Sequence, residues 1–206
     1  MQHELTEIPQ KLQSVLIPIL NSKSSFDIFS EERSYLQTRC LPFFKNYGLL
    51  SATSYSSIPP VTIEYLWNKA NNDIIKLDGT NEPIFNNLDK LGLILNDETL
   101  VPYTKFVLNC IQTEHGSLRL TETLSKDAIN HVFTDTPTDE QVEFLQKTVR
   151  PATFVKNGNK CLIDAIVLYG DTVYQADIEV TENGIIEILS ETELRAGLPI
   201  RPIFLE

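Results

Sequence analysis

Four carboxylates in the C-terminal part of the chain have a spacing that could gather them on one side of a β-sheet. Two segments with a period of two, 161–169 (CLIDAIVLY) and 172–180 (TVYQADIEV), flank Gly170-Asp171, a pair typical of a two-residue hairpin turn. Such a turn pairs Tyr169 with Thr172 and sets Asp164 opposite Asp177. A slip of one residue would move the apolar side chains off their shared core face, so we predict this register.

A third strand extends the set. Glu182-Asn183-Gly184 precedes it, and a three-residue loop with Gly184 in the left-handed conformation pairs Ile186 with Val180. The same register sets Glu187 opposite Glu179. The predicted sheet face therefore carries four carboxylates, Asp164, Asp177, Glu179 and Glu187, and among them the apolar residues Leu162, Ile166, Leu168 and Val173.

Like charges directly opposite each other on a sheet are destabilising by up to about 1 kcal/mol per pair, so some feature should offset their repulsion. One interpretation is a solvated face whose carboxylates are met by Lys147, Arg150, Lys156 or Lys160 from the acid-free stretch 144–163. A second is a docking face for a basic protein partner, with the apolar residues as anchors. A third is a Mg²⁺ or Ca²⁺ site that uses clustered oxygen ligands.

The metal interpretation has a specific form. Asp164 followed by Asp177-Ile178-Glu179 on the next antiparallel strand resembles the restriction-endonuclease-like superfamily, in which acidic residues on adjacent strands hold a divalent metal. The sequence departs from that pattern, because Glu179 occupies the position of the family's lysine and a further strand follows in place of a helix. The resemblance implies a metal-dependent, nuclease-like hydrolase with Asp164, Asp177 and Glu179 as metal ligands.

The preceding residues are predicted to be mostly helical, in two regions. Residues 1–50 form an N-terminal helical segment, with helices over about 5–20 and 30–45, and the small and hydroxyl residues of 51–60 form a linker. Residues 60–149 form a helical region with a short hairpin. Its predicted elements are helices over 62–77 and 80–91, a hairpin around Asn96-Asp97, a helix over 103–111 and two helices within 117–149.

The order helix, helix, hairpin, helix over about 60–112 resembles a winged-helix module. Its outward residues are mostly acidic or amide, which is unfavourable for DNA recognition. Residues 150–206 are predicted to form an antiparallel β-meander packed on helices. We expect it to end in a short helix from Ser190 to Gly197 and an edge strand from Pro199.

The net charge of the chain makes some classes of binding partner unfavourable. A formal charge of −11 and a pI near 4.7 oppose binding to nucleic acid or anionic lipid.

We identify no signal peptide and no apolar run long enough to span a membrane, and we interpret Cys40, Cys110 and Cys161 as reduced, buried thiols. These features predict a cytoplasmic location.

The sequence thus predicts an α+β protein without a recognisable catalytic motif. We expect a non-catalytic, acidic, intracellular protein-binding module of the adaptor, regulator or toxin-neutralising type, which uses the carboxylate-rich sheet face and needs no cofactor. The alternative is the divalent-metal-dependent hydrolase described above.

Overall fold

A computed structural model describes residues 5–201, without the side chains of Lys126, Asp127 and Asn130. The described residues form two compact units, the first ending at Ile94 and the second beginning at Leu95. Both units combine helices with antiparallel sheets, so the predicted α+β class is confirmed. Among the described residues, no helix has the length and apolar character needed to cross a membrane.

The first unit is a five-stranded sheet in which each strand pairs with the next along the chain. Helix α1 buries Leu16 and Leu20 in one cluster with Tyr65 and Trp67 of the sheet. The elements are β1 (Thr6–Glu7), α1 (Gln10–Asn21), β2 (Ser34–Cys40), β3 (Gly48–Ser54), β4 (Val61–Asn68), β5 (Asp73–Lys76), α2 (Glu82–Phe85) and α3 (Leu88–Leu91).

Two helices predicted in this unit are wrong. The range 30–45 contains β2, and the range 62–77 contains most of β4 and all of β5. In β4, Tyr65 and Trp67 join the core cluster beneath α1, while Leu66 between them is also fully buried. Burial of both faces removes the alternation of apolar and polar residues by which a strand is recognised in a sequence.

The segment 51–60 also differs from the predicted linker. Residues up to Ser54 complete β3, in which Ala52 pairs with both Leu36 and Ile63. The Ser54 hydroxyl donates a hydrogen bond to the Ile28 carbonyl at 2.8 Å. Small and hydroxyl side chains here fill a strand that is buried on both faces, and so they do not indicate a flexible connection.

The remaining helix predictions in this unit are confirmed in part. Helix α1 begins only after Pro9, whose position at the helix start is favourable for a residue without an N–H group. The helix predicted over 80–91 is divided into α2 and α3, and the second of these ends at Gly92 with φ = 69°.

The second unit contains the predicted meander and three helices. Strands β10, β11 and β12 lie side by side in a sheet, and the other edge of β10 pairs with β9 and with β8. The elements are α4 (Leu100–Cys110), β6 (Gln112–Thr113), β7 (Gly116–Ser117), β8 (Arg119–Leu120), α5 (Lys126–Val132), α6 (Asp139–Thr148), β9 (Thr153–Asn157), β10 (Lys160–Tyr169), β11 (Thr172–Thr181) and β12 (Ile186–Arg195).

The strand register predicted for the meander is confirmed. Tyr169 pairs with Thr172 and Asp164 with Asp177, across a two-residue turn in which Gly170 has φ = 58°. Glu179 pairs with Glu187 after a loop in which Gly184 has φ = 85°. Both glycines adopt the left-handed conformation that their turns require.

Other predictions for the second unit are wrong or not confirmed. The hairpin expected at Asn96-Asp97 is a turn before α4, in which the Asn96 side chain accepts hydrogen bonds from the backbone N–H groups of Glu98 and Thr99. Strands β4 and β5 occupy the place of the first helix of the winged-helix pattern, so that pattern is not confirmed. Helices α5 and α6 confirm the two helices predicted within 117–149, and Thr138 caps α6 as expected.

The C-terminal helix predicted from Ser190 to Gly197 is wrong, because β12 continues to Arg195. A bulge at Leu189 lets the strand continue through the residues that we interpreted as a helix cap. In the predicted edge strand, Ile200 forms a single antiparallel bridge with Phe133. The residues after Arg201 lie outside the described part of the chain.

A small ionic network stabilises the first unit. The Asp73 carboxylate forms a salt bridge with Lys90 at 2.8 Å and accepts a hydrogen bond from the hydroxyl of buried Tyr47. The hydrogen bonds from Lys90 and Tyr47 lower the pKa of Asp73, and burial raises the pKa of Tyr47. This network ties α3 and the segment before β3 to β5.

We expect Asp73→Asn to lower the free energy of unfolding at pH 7 by roughly 0.5–1 kcal/mol, because a partly exposed charged pair is lost. A lowered pKa gives stability that is present above the unfolded pKa and lost as the pH falls through the folded pKa. The difference between wild type and variant should therefore shrink below about pH 4 in urea denaturation. Asp27→Asn, at an exposed site, is the control, and an unchanged difference at low pH would contradict this prediction.

Candidate functional site

The four predicted carboxylates lie on one face of the sheet formed by β10, β11 and β12. Asp164, on β10, is held from two directions. Arg150, which follows α6, donates from Nη2 to one carboxylate oxygen, and Gln175 on β11 donates from Nε2 to the other at 2.8 Å. Asp164, which the sequence predicts to lie opposite Asp177, is thus compensated by the Arg150 guanidinium and the Gln175 amide.

Asp177 and Glu179 on β11 are also compensated within the unit. The Ser190 hydroxyl of β12 donates to Asp177 Oδ2 at 2.7 Å, a contact that exists because the bulge at Leu189 sets Ser190 opposite Asp177. Lys160 Nζ of β10 lies 2.6 Å from Glu179 Oε1. Glu187, opposite Glu179 in register, is exposed.

The apolar residues predicted on this face divide between surface and core. Leu162 is 41% exposed and stays on the accessible part of the face. Ile166 is only 2% exposed, and it joins Leu168 and Val173 in a core cluster with residues of α5 and α6. Ile166 is therefore a packing residue and is not accessible as an anchor for a partner.

The available signal for this burial was the apolar character of the face itself. Ile166, Leu168 and Val173 follow one another toward the Gly170 turn, and acids occupy only the opposite end. A sheet face that changes from acidic to apolar along its length is typical of partial cover by another layer. Helix α6 supplies that layer through Leu145, which is fully buried.

Two bases from the acid-free stretch 144–163 reach the face, Arg150 and Lys160. These contacts support the first of the three interpretations for Asp164 and Glu179. Lys147 instead pairs with Glu143 along α6, and Lys156 pairs with Asp97. Within the described residues, no group of three or more His, Cys, Asp and Glu side chains is arranged to hold a metal ion. The metal site therefore stays a prediction.

A feature that the sequence did not reveal is the outer edge of β12. In the described part of the chain, β12 pairs with β11 on one side and with no strand on its other side. Every residue from Leu189 to Leu194 is exposed, although neighbouring residues of a strand point to opposite faces. The edge was missed because Ser190 and Glu193 have the spacing of a helix capping box.

The edge strand is strongly acidic. Glu187, Glu191 and Glu193 are all exposed, and Arg195 is the single base within β12. Arg195 donates to Glu140 of α6 at 3.0 Å and lies over the Phe144 ring at 5.2 Å, so its charge is engaged inside the unit. In the strand register, Glu187 lies on the carboxylate face, whereas Glu191 and Glu193 pair with Ala176 and Tyr174 and lie on the opposite face, so β12 carries acids on both faces.

In the first unit, Glu64 is another carboxyl group that the sequence patterns did not indicate. Burial raises the pKa of Glu64, although Ser51 donates a hydrogen bond to it at 3.2 Å. It lies on β4, on the face opposite to that of Tyr65 and α1.

Comparison of the chain with models of known protein families, with curated proteins and with solved structures finds no match.

We expect Arg150→Met to destabilise the second unit, because Asp164 would keep only the amide of Gln175. Both side chains are partly exposed, so a double-mutant cycle with Asp164→Asn should give a coupling energy of about 0.5–1 kcal/mol in urea denaturation. A cycle on Lys147 and Glu143, whose pair is more exposed, serves as control and should give about 0.3–0.5 kcal/mol. Zero coupling between Arg150 and Asp164 would show that this ion pair does not offset the repulsion.

Proposed function

We propose that the second unit binds an extended, basic segment of another protein, which adds a strand to the free edge of β12. The observation that carries this proposal is the acidic outer edge of a ten-residue strand. Such an activity is non-catalytic and suits an adaptor, a regulator or a toxin-neutralising protein.

The backbone of β12 supplies the affinity in this proposal. An edge strand presents a row of N–H and C=O groups that a second extended chain can pair with. Because side chains from Leu189 to Leu194 are exposed, a partner strand would have access to both faces of this segment. Leu189 and Leu194 are 52% and 37% exposed and offer apolar contacts beside the charges.

In this proposal, the negative charge of the β12 glutamates determines which strands can pair with the edge. Proteins commonly place charges on an edge strand to prevent pairing between copies, and the glutamates of β12 would repel a second acidic strand. The same charges attract Lys and Arg side chains. The edge of β12 therefore repels a second copy of this strand and attracts a basic segment.

The four predicted carboxylates differ in their contribution to such binding. Asp164 and Glu179 are already paired with Arg150 and Lys160, and they offer less attraction to an incoming base. Glu187 is exposed on the edge strand, where Glu191 and Glu193 join it. We therefore assign the main electrostatic role to the glutamates of β12, with Leu162 at the accessible part of the adjoining face.

A direct test measures binding of the fluorescein-labelled peptide Lys-Lys-Val-Val-Lys-Lys-Val-Val, which as a strand carries lysines on both faces, by anisotropy at low salt. We expect saturable binding that Glu187→Lys/Glu191→Lys weakens about tenfold, since two favourable exposed charge contacts become repulsive. The matched control is Glu32→Lys/Glu98→Lys, which makes the same change in net charge at exposed positions outside β12.

A second peptide, N-methylated at alternate residues, tests the backbone pairing. It keeps every charge but loses the N–H groups on one edge, so a strand added to β12 through that edge could not form. Equal binding of both peptides would refute strand addition. Equal weakening by the two double substitutions would refute docking at β12 and leave only the general attraction of an acidic protein for a basic peptide.

A further inference from the structure

A cavity of about 570 Å³ opens beside the β10–β11 turn, away from the Glu187 end of β12. Its residues come from three places: the β6–β7 turn, the β10–β11 hairpin and the tail after β12. They are Glu114, His115, Tyr169, Gly170, Asp171, Thr172, Tyr174 and Ile200. The volume falls within the range of pockets that hold small ligands.

Aromatic rings form much of this cavity. Tyr169 and Tyr174 lie on the same face of the β10–β11 hairpin, as the pairing of Tyr169 with Thr172 requires. The His115 ring meets the Tyr169 ring edge to face, with centroids 5.8 Å apart and an interplanar angle of 72°. The electron-rich faces of such rings attract a cation.

The β6–β7 turn packs directly beside the turn that contains Gly170. A Cβ atom at this position would lie 3.4 Å from the Cβ of His115, and the φ of 58° is one that other residues rarely adopt. The left-handed conformation thus requires glycine at this turn, and the β6–β7 turn beside it completes the cavity.

Acidic groups accompany the rings. Glu114 and Asp171 line the cavity, and no Lys or Arg is among its lining residues. The Thr172 hydroxyl, on a buried residue, donates to Asp171 Oδ1 at 2.9 Å and orients that carboxylate. In the strand register, Glu193 of β12 is opposite Tyr174 and adds negative charge nearby.

We propose that this cavity binds an organic cation, a guanidinium or alkylammonium group, held between the tyrosine rings and the carboxylates. Rings of this type bind such groups through cation–π attraction, and carboxylates fix their orientation by charge-assisted hydrogen bonds. The site does not depend on strand addition at β12. The cation can belong to a free small molecule or to an arginine side chain of a peptide, and both present the same group to the cavity.

The test follows backbone amide shifts by nuclear magnetic resonance during titration with N-acetyl-arginine-N-methylamide. We expect saturable shifts centred on 114–116 and 169–174, with a dissociation constant on the order of 1 mM for so small a probe. The equivalent citrulline compound, which has nearly the same shape without the charge, should bind at least about fivefold more weakly. Equal binding of the two compounds, or shifts centred elsewhere, would overturn the proposal.

Two variants separate binding from stability. Tyr174→Leu should weaken arginine binding about fivefold, and Tyr55→Leu, at a 58% exposed tyrosine outside the cavity, should not change it. Glu114→Gln is expected to weaken binding about threefold without affecting folding, because the Glu114 side chain is 86% exposed. Unchanged affinity in both cavity variants would overturn the proposal.

Methylguanidine and a blocked Gly-Arg-Gly peptide distinguish the two sources of the cation. A peptide that binds at least about tenfold more tightly than methylguanidine would indicate an arginine side chain of a protein. Similar affinities would indicate a free small cation. If neither compound binds at a concentration about 20-fold above the expected dissociation constant of about 1 mM, the proposed site is overturned. That outcome would leave the result of the β12 peptide experiment unaffected.

Discussion

The pairing of β10 with β11 is the constraint on which both candidate surfaces of the second unit depend. The turn at Gly170 fixes this pairing, and its period of two then decides which residues share a face. One consequence is that Asp164 and Asp177 lie directly opposite each other. Another is that Tyr169, Thr172 and Tyr174 share the opposite face, where the cavity lies. A register slip of one residue would abolish both arrangements.

The repulsion created by this register is offset locally, by residues whose positions follow from the same topology. Lys160 begins β10 and is adjacent to Glu179 because the hairpin brings its two outer ends together. Arg150 reaches Asp164 because the segment after α6 returns to the sheet as β9, which pairs with β10 up to Asp164. Neighbours in sequence and register thus compensate Asp164 and Glu179, whereas Glu187, Glu191 and Glu193 are exposed on β12.

The sequence revealed the parts of the fold that local information determines. In the β10–β11 hairpin, turn residues and alternation point to the same register, so the four carboxylates could be placed on one face correctly. In the first unit, turn residues and apolar alternation do not indicate the same structure. In β4, the run from Tyr65 to Trp67 is buried on every residue, and its apolar spacing fits a helix as well as a strand. Only pairing with β3 and β5, which are separate segments, decides between them.

In the candidate site, too, contacts with other segments decide a structure that the local sequence does not indicate. The residues from Ser190 to Glu193 have a sequence that can cap a helix, yet pairing with β11 holds them in a strand. That strand contains two bulges, one at Leu189 and one at Leu194. The apolar end of the face indicates that Ile166 is covered, but the hairpin does not identify the covering elements, α5 and α6, which come earlier in the chain.

Extension of β12 past the bulge at Leu189 has a consequence for specificity. A strand ending at the bulge would leave a short edge carrying Glu187, whereas the continued strand adds Glu191 and Glu193 to the same exposed edge. A longer edge is more able to pair with another chain, and a more acidic edge is less able to pair with a copy of itself. The two effects together restrict pairing to strands of opposite charge. The backbone of β12 thus provides the capacity to bind, and its glutamates restrict the choice of partner to basic segments.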